Sequence, residues 1–190
     1  MARQEELEAL SSSDPLTGLL NRRSFLNELE RRFSRRGGWR GGAALFFIDL
    51  DNFKAVNDRH GHQRGDVVLA TVARILRDQI RSRDLAARLG GDEFALFIED
   101  ITPAAARQKG QDLLKAAREL APFSAAPDHP LGLSIGAAFC WPDDDGDAAA
   151  LIERADQAMY AVKHRGKGGV EVDVSETAEV SKTAEKETAS

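Results

Sequence analysis

The feature that most constrains the fold is a short stretch in which two apolar runs are separated by only four residues. LAARL (85–89) and FALFI (94–98) both have strand-like composition. A connection this short joins antiparallel neighbours, so the two runs predict a β-hairpin. Its tip would carry two glycines followed by two carboxylates, Gly90, Gly91, Asp92 and Glu93.

The other apolar segments alternate between strand-like and helix-like patterns. The continuous run AALFFI predicts a buried central strand, and further strands are expected at 131–141 and, as an edge strand, at 170–172. Helical spacing of apolar residues predicts helices at 22–35, 65–80, 103–120 and 148–163. Because helices alternate with strands while one strand pair is a hairpin, we expect an α/β (α+β) fold with a mixed sheet flanked by helices.

Charge and composition bound the function. Residues 171–190 carry −4 of the total charge of −5 and contain no Leu, Ile or aromatic residue, so they predict an acidic disordered tail. The nearly neutral remainder gives no reason to expect nucleic-acid binding. Cys140 is the single cysteine, which excludes an internal disulfide and fits a packed thiol. No run approaches the roughly 18 apolar residues of a membrane span, so we expect a cytoplasmic protein.

Carboxylates cluster around the predicted central strand. Asp49 and Asp51 follow AALFFI and point to one face by the period of two. If the hairpin pairs beside this strand, Asp92 and Glu93 join them, and like charges at that range need a cation. Oxygen ligands without His or Cys nearby favour Mg²⁺. Two alternatives to a metal site stay open. An acidic hairpin tip is often a solvated turn, and an aspartate at the end of a strand is often a cap.

Two further groups of polar residues suit a nucleotide. Lys163 and Lys167 lie near the end of the last predicted helix among glycines, either complementing the helix C-terminus or clamping phosphates, and Lys54 suits the same phosphates. Asn57 and Asp66 suit the donors on a guanine edge, and their alternative role is capping.

Five motifs in order then identify a resemblance. They are DPLTGLLNRRSF (14–25), FFIDLDNFKAVNDRHGHQRGD (46–66), RLGGDEFALF (88–97), LSIGAA (133–138) and ADQAMYAVKHRGK (155–167). Together they resemble the diguanylate cyclases, the bacterial GGDEF-domain enzymes that join two GTP into cyclic di-GMP. The resemblance covers residues 14–170, with 1–13 as the end of a connecting helix. It implies a palm-like fold with a mainly antiparallel sheet, akin to nucleotidyl cyclases.

The resemblance also implies a role for each candidate residue. It implies that the site holds divalent ions, either Mg²⁺ or Mn²⁺. The implied ligands are three carboxylates that also serve catalysis and one backbone carbonyl: Asp49, Asp92, Glu93 and the Leu50 carbonyl. It implies that GTP is bound by guanine contacts, tip glycines and phosphate ligands: Asn57, Asp66, Gly90, Gly91, Lys54, Lys163 and Lys167. The family usually has Arg at the last of these positions, and Lys lacks its bidentate fork. Whether Asp92 also acts as a base stays open.

Regulation and partners follow from the same resemblance. Each subunit is expected to bind one GTP, so catalysis requires a homodimer, and relatives usually carry an upstream sensory or receiver domain. Arg81 and Asp84 match the family's RxxD site, where cyclic di-GMP binds back and inhibits. The alternative function is a catalytically inactive receptor for GTP or cyclic di-GMP. A polymerase-like or adenylyl-type cyclase is a third class, which lacks this set of motifs.

Overall fold

The fold is built on one six-stranded sheet. A computed structural model describes residues 12–35, 39, 41–144 and 146–174. The strands lie in the spatial order β1-β3-β4-β2-β5-β6. Their bounds are β1 Leu20–Asn21, β2 Gly42–Asp51, β3 Leu85–Gly90, β4 Glu93–Ile101, β5 Gly132–Cys140 and β6 Val170–Val174.

Helices flank this sheet. The α-helices are α1 Arg22–Phe33, α2 Phe53–His60, α3 His62–Asp78, α4 Pro103–Ala116 and α5 Ala148–His164, and a 3₁₀ helix covers Ala117–Phe123. Thr102 caps α4, because its hydroxyl accepts a hydrogen bond from the backbone N–H of Ala105. The helix predicted at 103–120 is α-helical only to Ala116. It continues as the 3₁₀ helix, which is more tightly wound and contains Pro122.

The mixed, mainly antiparallel sheet is confirmed. β2 is central and pairs antiparallel with both β4 and β5, while the β1–β3 and β5–β6 pairs are parallel. The hairpin prediction is also confirmed, although its strands extend through Gly90 and Glu93 and leave a two-residue turn. Because β4 pairs with β2, Asp49 lies opposite Glu93. The sheet register therefore brings the GGDE tip beside the end of the central strand.

Each face of the sheet has its own hydrophobic core. One core contains Phe46, Ile48 and Leu50 of β2 together with residues of α2 and α3. The other contains Leu45 of β2 together with residues of α1 and α5. Alternation along β2 therefore points Asp49 toward the α1 and α5 face and Leu50 toward the α2 and α3 face. Cys140 is buried in the second core, as expected.

The two ends of the chain are described only in part. The edge strand runs to Val174, so residues 171–174 belong to the sheet and not to the predicted tail. Most of the segment 1–13, predicted to be helical, and the rest of the tail, 175–190, lie outside the described residues. In the described part of the chain, no helix has the length and apolarity needed to cross a bilayer.

Candidate functional site

The site begins at the end of β2. Asp49 is buried there, 8% exposed, and its neighbour in the adjacent strand is Glu93. The backbone N–H of Leu50 donates to the carbonyl of Asp92 at 3.2 Å, which ties the hairpin tip to the central strand. The predicted metal ligands of the two strands are therefore neighbours in the folded chain.

Helix α5 brings a lysine to this point. Gly136 of β5 allows close packing of the helix, since a Cβ there would lie 1.9 Å from the backbone nitrogen of Met159. One turn further along α5, the ammonium of Lys163 lies 2.8 Å from Asp49 Oδ2. The close contact of helix and strand thus positions one of the predicted phosphate ligands beside a predicted metal ligand.

The electrostatics of Asp49 fit a cation site. Burial raises the pKa of this carboxyl, the hydrogen bond and charge of Lys163 oppose the rise, and the charges of Asp92 and Glu93 add to it. The charges of Asp92 and Glu93 thus disfavour the ionised form of Asp49, and the contact with Lys163 offsets them. Within the described ranges, no three acidic, His or Cys side chains are arranged so that they could hold a metal ion as they stand.

Asp51 lies near Asp49 and Asp92, but its carboxylate oxygens already have partners within the chain. Its Oδ1 accepts a hydrogen bond from Ser134 Oγ at 2.7 Å, and its Oδ2 accepts one from the backbone N–H of Gly168 at 2.9 Å. Asp51 is buried, 4% exposed, and both of its oxygens are therefore engaged in joining strands to the loop after α5.

An open cleft of about 690 Å³ lies over these residues. It brings together three of the predicted site's carboxyl and backbone positions, Asp49, Leu50 and Asp92, and all three predicted phosphate ligands, Lys54, Lys163 and Lys167. Basic and acidic groups thus share one open cleft. Such a combination suits a polyphosphate with divalent cations, because each sign of charge has a partner in that ligand.

The hairpin tip is held open by its glycines and by one arginine. Gly90 and Gly91 have φ values of 143° and 52°, and a Cβ on either would meet nothing within 4 Å. The guanidinium of Arg88 donates twice to the Gly91 carbonyl, at 2.8 and 3.0 Å. The tip is therefore exposed and yet fixed in position.

The same arginine is anchored by the first motif of the chain. Arg88 pairs with Asp14 at 3.2 Å. Asp14 also accepts from the N–H and the hydroxyl of Thr17, at 2.8 and 2.6 Å. Although burial opposes it, the hydrogen bonds from Thr17 and the nearby Arg88 lower the pKa of Asp14. The turn 14–17 thus acts as a support for the GGDE tip.

The predicted guanine contacts lie on neighbouring helices. Asn57 is in α2, one turn after Lys54, and Asp66 is exposed in the second turn of α3. The amide oxygen of Asn57 is buried and makes no hydrogen bond. It packs so closely on Gly65 that a Cβ there would lie 2.0 Å away. A buried amide oxygen without a donor is costly and is satisfied when a ligand supplies one.

The predicted inhibitory pair lies at the opposite end of β3 from the tip. Asp84 Oδ2 accepts from the backbone N–H of Arg81 at 2.8 Å, and the Asp84 N–H donates to the Arg81 carbonyl at 3.0 Å. Asp84 is buried with its other oxygen unpartnered, whereas Arg81 is exposed. The pair thus forms a turn that presents a guanidinium at the surface.

Sequence reasoning missed the residues that support the site. Asp14, Asn52, Arg88 and Ser134 were not candidates, although all four lie within the five motifs. Arg88 directly precedes the LGGDE stretch, and that position was the available signal. Ser134 carries no such signal, because it meets Asp51 only through the pairing of β2 and β5.

Comparison with known proteins places these features in one family. The protein-family model described as "Diguanylate cyclase, GGDEF domain" matches residues 11–169. Diguanylate cyclase DgcP of Pseudomonas aeruginosa is 37% identical over 172 residues, which cover 88% of this chain and 25% of that protein. The chain therefore spans about a quarter of the length of this relative.

Solved structures agree with the sequence match. The GGDEF domain of TpbB (YfiN) from Pseudomonas aeruginosa is similar with a TM-score of 0.73 and 36% identity, over 84% of this chain and 93% of that one. The GGDEF domain of DgcB from Caulobacter crescentus, solved in complex with c-di-GMP, has a TM-score of 0.73 and 29% identity, over 85% and 95% of the two chains. Both likenesses span nearly the whole of the described fold.

Proposed function

Because the chain belongs to the GGDEF-domain family of diguanylate cyclases, we propose that it condenses two molecules of GTP into cyclic di-GMP. One observation carries the proposal: the register of β2 and β4 brings Asp49 beside the GGDE tip, and Lys163 lies against the same carboxylate. A degenerate member would have lost acidic groups at this point. Asp49, Asp92 and Glu93 are all present.

The residues present fit a pair of divalent cations. Asp49, Asp92, Glu93 and the Leu50 carbonyl supply only oxygen ligands, and the mutual repulsion of the carboxylates favours an added cation. When bound, Mg²⁺ or Mn²⁺ neutralises the triphosphate and lowers the pKa of the attacking hydroxyl. Lys163 then exchanges its contact with Asp49 for a phosphate oxygen, and Lys54 and Lys167 bind the remaining phosphate charge.

The guanine base is recognised by α2 and α3. The unpartnered amide oxygen of Asn57 accepts from a guanine donor, and the exposed carboxylate of Asp66 accepts from a second. Adenine presents an acceptor at ring N1 where guanine presents a donor. An Asn57 oxygen left without a donor therefore discriminates against ATP.

The reaction needs two copies of the chain. The 3′-hydroxyl of one GTP attacks the α-phosphorus of the other, a new P–O bond forms, and the bond to the β-phosphate breaks to release pyrophosphate. The 3′-hydroxyl of the second nucleotide then attacks the α-phosphorus of the first in the same way, which closes the ring and releases the second pyrophosphate. With one GTP in each subunit, the two clefts must face each other across a two-fold axis.

Cyclic di-GMP also binds back at the turn 81–84. The exposed Arg81 pairs with a phosphate of the product, and the unpartnered oxygen of Asp84 accepts from a guanine donor once the turn adjusts. The DgcB structure in complex with c-di-GMP shows that a GGDEF domain of this fold binds the product.

The test is a product assay at several protein concentrations. The purified chain is incubated with GTP and Mg²⁺, and the product is identified by chromatography and mass. We expect cyclic di-GMP, with a rate that rises more than linearly with protein concentration. Asp92→Ala should abolish turnover with the fold intact, while Asp78→Ala, an exposed carboxylate at the end of α3, should leave turnover unchanged.

The outcomes separate the candidate functions. Product formation by Asp92→Ala would overturn the site assignment. Saturable binding of GTP or cyclic di-GMP without product at any protein concentration would favour the receptor. Turnover of ATP in competition with GTP would place the chain in the third class of cyclase.

A further inference from the structure

We propose that Asp51 is a positioning residue that locks the basic loop after α5 over the substrate cleft, and that Ser134 completes this lock. The inference deepens the proposed function and rests on it, since it assigns a role in GTP binding. Asp51 stands two residues after Asp49 on the same face of β2, and its neighbours give it a different task.

The lock consists of hydrogen bonds between three parts of the chain. The Asp51 carboxylate accepts from Ser134 Oγ of β5 and from the backbone N–H of Gly168, at 2.7 and 2.9 Å. The Gly168 N–H also lies 3.3 Å from Ser134 Oγ. Asp51 and Ser134 are both buried. A buried carboxylate engaged on both oxygens holds its partners strongly, because both hydrogen bonds are charge-assisted.

The loop that is held has an unusual backbone. Gly166, Lys167 and Gly168 have φ values of 111°, 69° and 62°, so three successive residues are in the left-handed region. Lys167 is not a glycine, and this backbone conformation is unfavourable for a residue with a Cβ unless surrounding contacts hold it there. The bond from Gly168 to Asp51 lies directly beside this position. The lock therefore keeps Lys167 in a conformation that the loop alone disfavours.

The held conformation aims Lys167 at the cleft. Its ammonium donates to Asn52 Oδ1 at 3.0 Å, and the Asn52 amide donates to the carbonyl of Pro130 at 2.8 Å. Asn52 and Lys167 both line the cleft that contains Asp49. Lys provides a point charge without the planar fork of an arginine. Binding by Lys167 thus depends on where the backbone places it, which is what Asp51 determines.

A double-mutant cycle tests this assignment. Asp51→Asn keeps the shape of the side chain but removes its charge, and Lys167→Met removes the ammonium with the stem retained. The readout is the equilibrium affinity for a GTP analogue with a non-reactive α,β-bridge, measured in Mg²⁺. We expect each single variant to weaken binding about tenfold. The double variant should be little weaker than Lys167→Met, because both changes remove the same interaction.

Three further measurements separate this role from the alternatives. Ser134→Ala should weaken binding in the same direction, although Ser134 is buried away from the ligand. The Mg²⁺ concentration for half-maximal binding should be unchanged in Asp51→Asn, whereas loss of a metal ligand would raise it. Hydrogen exchange at the Gly168 amide should accelerate in both variants. Asp144→Asn is the matched control, since that carboxylate also accepts from a backbone N–H, of Trp141, in a loop outside the site.

Each outcome decides the question. Full additivity in the double variant, or a shifted Mg²⁺ requirement, would overturn the positioning role and leave the proposed function standing. Unchanged binding in Asp51→Asn with fast exchange at Gly168 would show a purely structural lock and would also overturn it. Failure of the wild-type chain to bind the analogue would overturn the proposed function together with this inference, while Gly168 protection would still report the lock.

Discussion

Asp14 and Arg88 lie 74 positions apart in the chain, and the Arg88 guanidinium contacts both oxygens of the Asp14 carboxylate while it also holds the Gly91 carbonyl. The first motif of the chain is thereby connected to the tip of the hairpin by one side chain. The position of the GGDE tip therefore depends on Asp14, a residue that does not line the cleft.

Replacement of Asp14 tests this dependence. Asp14→Asn retains an oxygen that accepts from Thr17 and removes the charge that pairs with Arg88. We expect turnover at saturating GTP to fall about tenfold, because the tip loses its support while the metal ligands are intact. The rate is measured together with the melting temperature. Asp147→Asn is the control, since Asp147 caps α5 through Ala150 far from the tip. Equal turnover in both variants would contradict the supporting role.

Gly65 gives a second prediction, on recognition of the base. In Gly65→Ala the new Cβ would lie 2.0 Å from Asn57 Oδ1, so the amide must move. We expect the KM for GTP to rise about tenfold and the preference for GTP over ATP to shrink, with kcat less affected. Gly110→Ala is the matched control, because its Cβ would press on Val170 at 2.5 Å, remote from α2. A similar change of KM in the control would show that packing alone is responsible.

The third prediction concerns inhibition by the product. Arg81 is exposed, and only its backbone contributes to the turn with Asp84. Arg81→Ala should therefore raise the concentration of added cyclic di-GMP that gives half-maximal inhibition at least tenfold. The melting temperature should be unchanged. Arg83→Ala is the control, because Arg83 is a nearby exposed cation whose loss breaks an ion pair with Asp100. Unchanged inhibition in Arg81→Ala would remove the site from this turn.

The fourth prediction follows from the acid titration of Glu28. The hydrogen bond from Arg31 lowers the pKa of Glu28 from 4.5 to about 2, with burial opposing and Arg32 adding to the effect. A lowered folded-state pKa contributes stability above pH 4.5 that is lost as the pH falls from 4.5 toward 2. Glu28→Gln should reduce the free energy of unfolding at pH 7 by about 1 kcal/mol, since the partly exposed pair is screened. Denaturant unfolding at pH 7, 4 and 2.5 measures this. A difference that persists undiminished at pH 2.5 would contradict the assignment.

The elements with strong local signals could be predicted from sequence. The hairpin, the central strand and helices α1, α3 and α5 follow from short connections and apolar spacing, whereas the pairing of the hairpin with the central strand was only a condition and came from the structure. Helix α2 was missed. Only Phe53 and Val56 of its eight residues are buried, and Asn52 before it has a φ of 63° and no capping bond, so neither periodicity nor capping marks it.

The contacts that support the site could not be predicted in the same way. Asp51 and Ser134 are 83 positions apart and meet only because β2 and β5 pair in one register. A shift of one residue would turn either side chain to the other face of the sheet. Lys167 likewise gains its position from a left-handed backbone that sequence composition does not specify. Candidate ligands could therefore be proposed from residue types, whereas the contacts that support them required the folded chain.

The separation of the two hydrophobic cores has a consequence for how such a domain can change over evolutionary time. Asp49 and Lys163 lie on the face of the sheet shared with α1 and α5, whereas the proposed base contacts, Asn57 and Asp66, lie on α2 and α3 of the other face. Substitutions in separate cores act almost independently on stability. The proposed base recognition and the proposed metal site can therefore change by separate steps in one lineage, so that a descendant can keep nucleotide binding long after it has stopped turning substrate over.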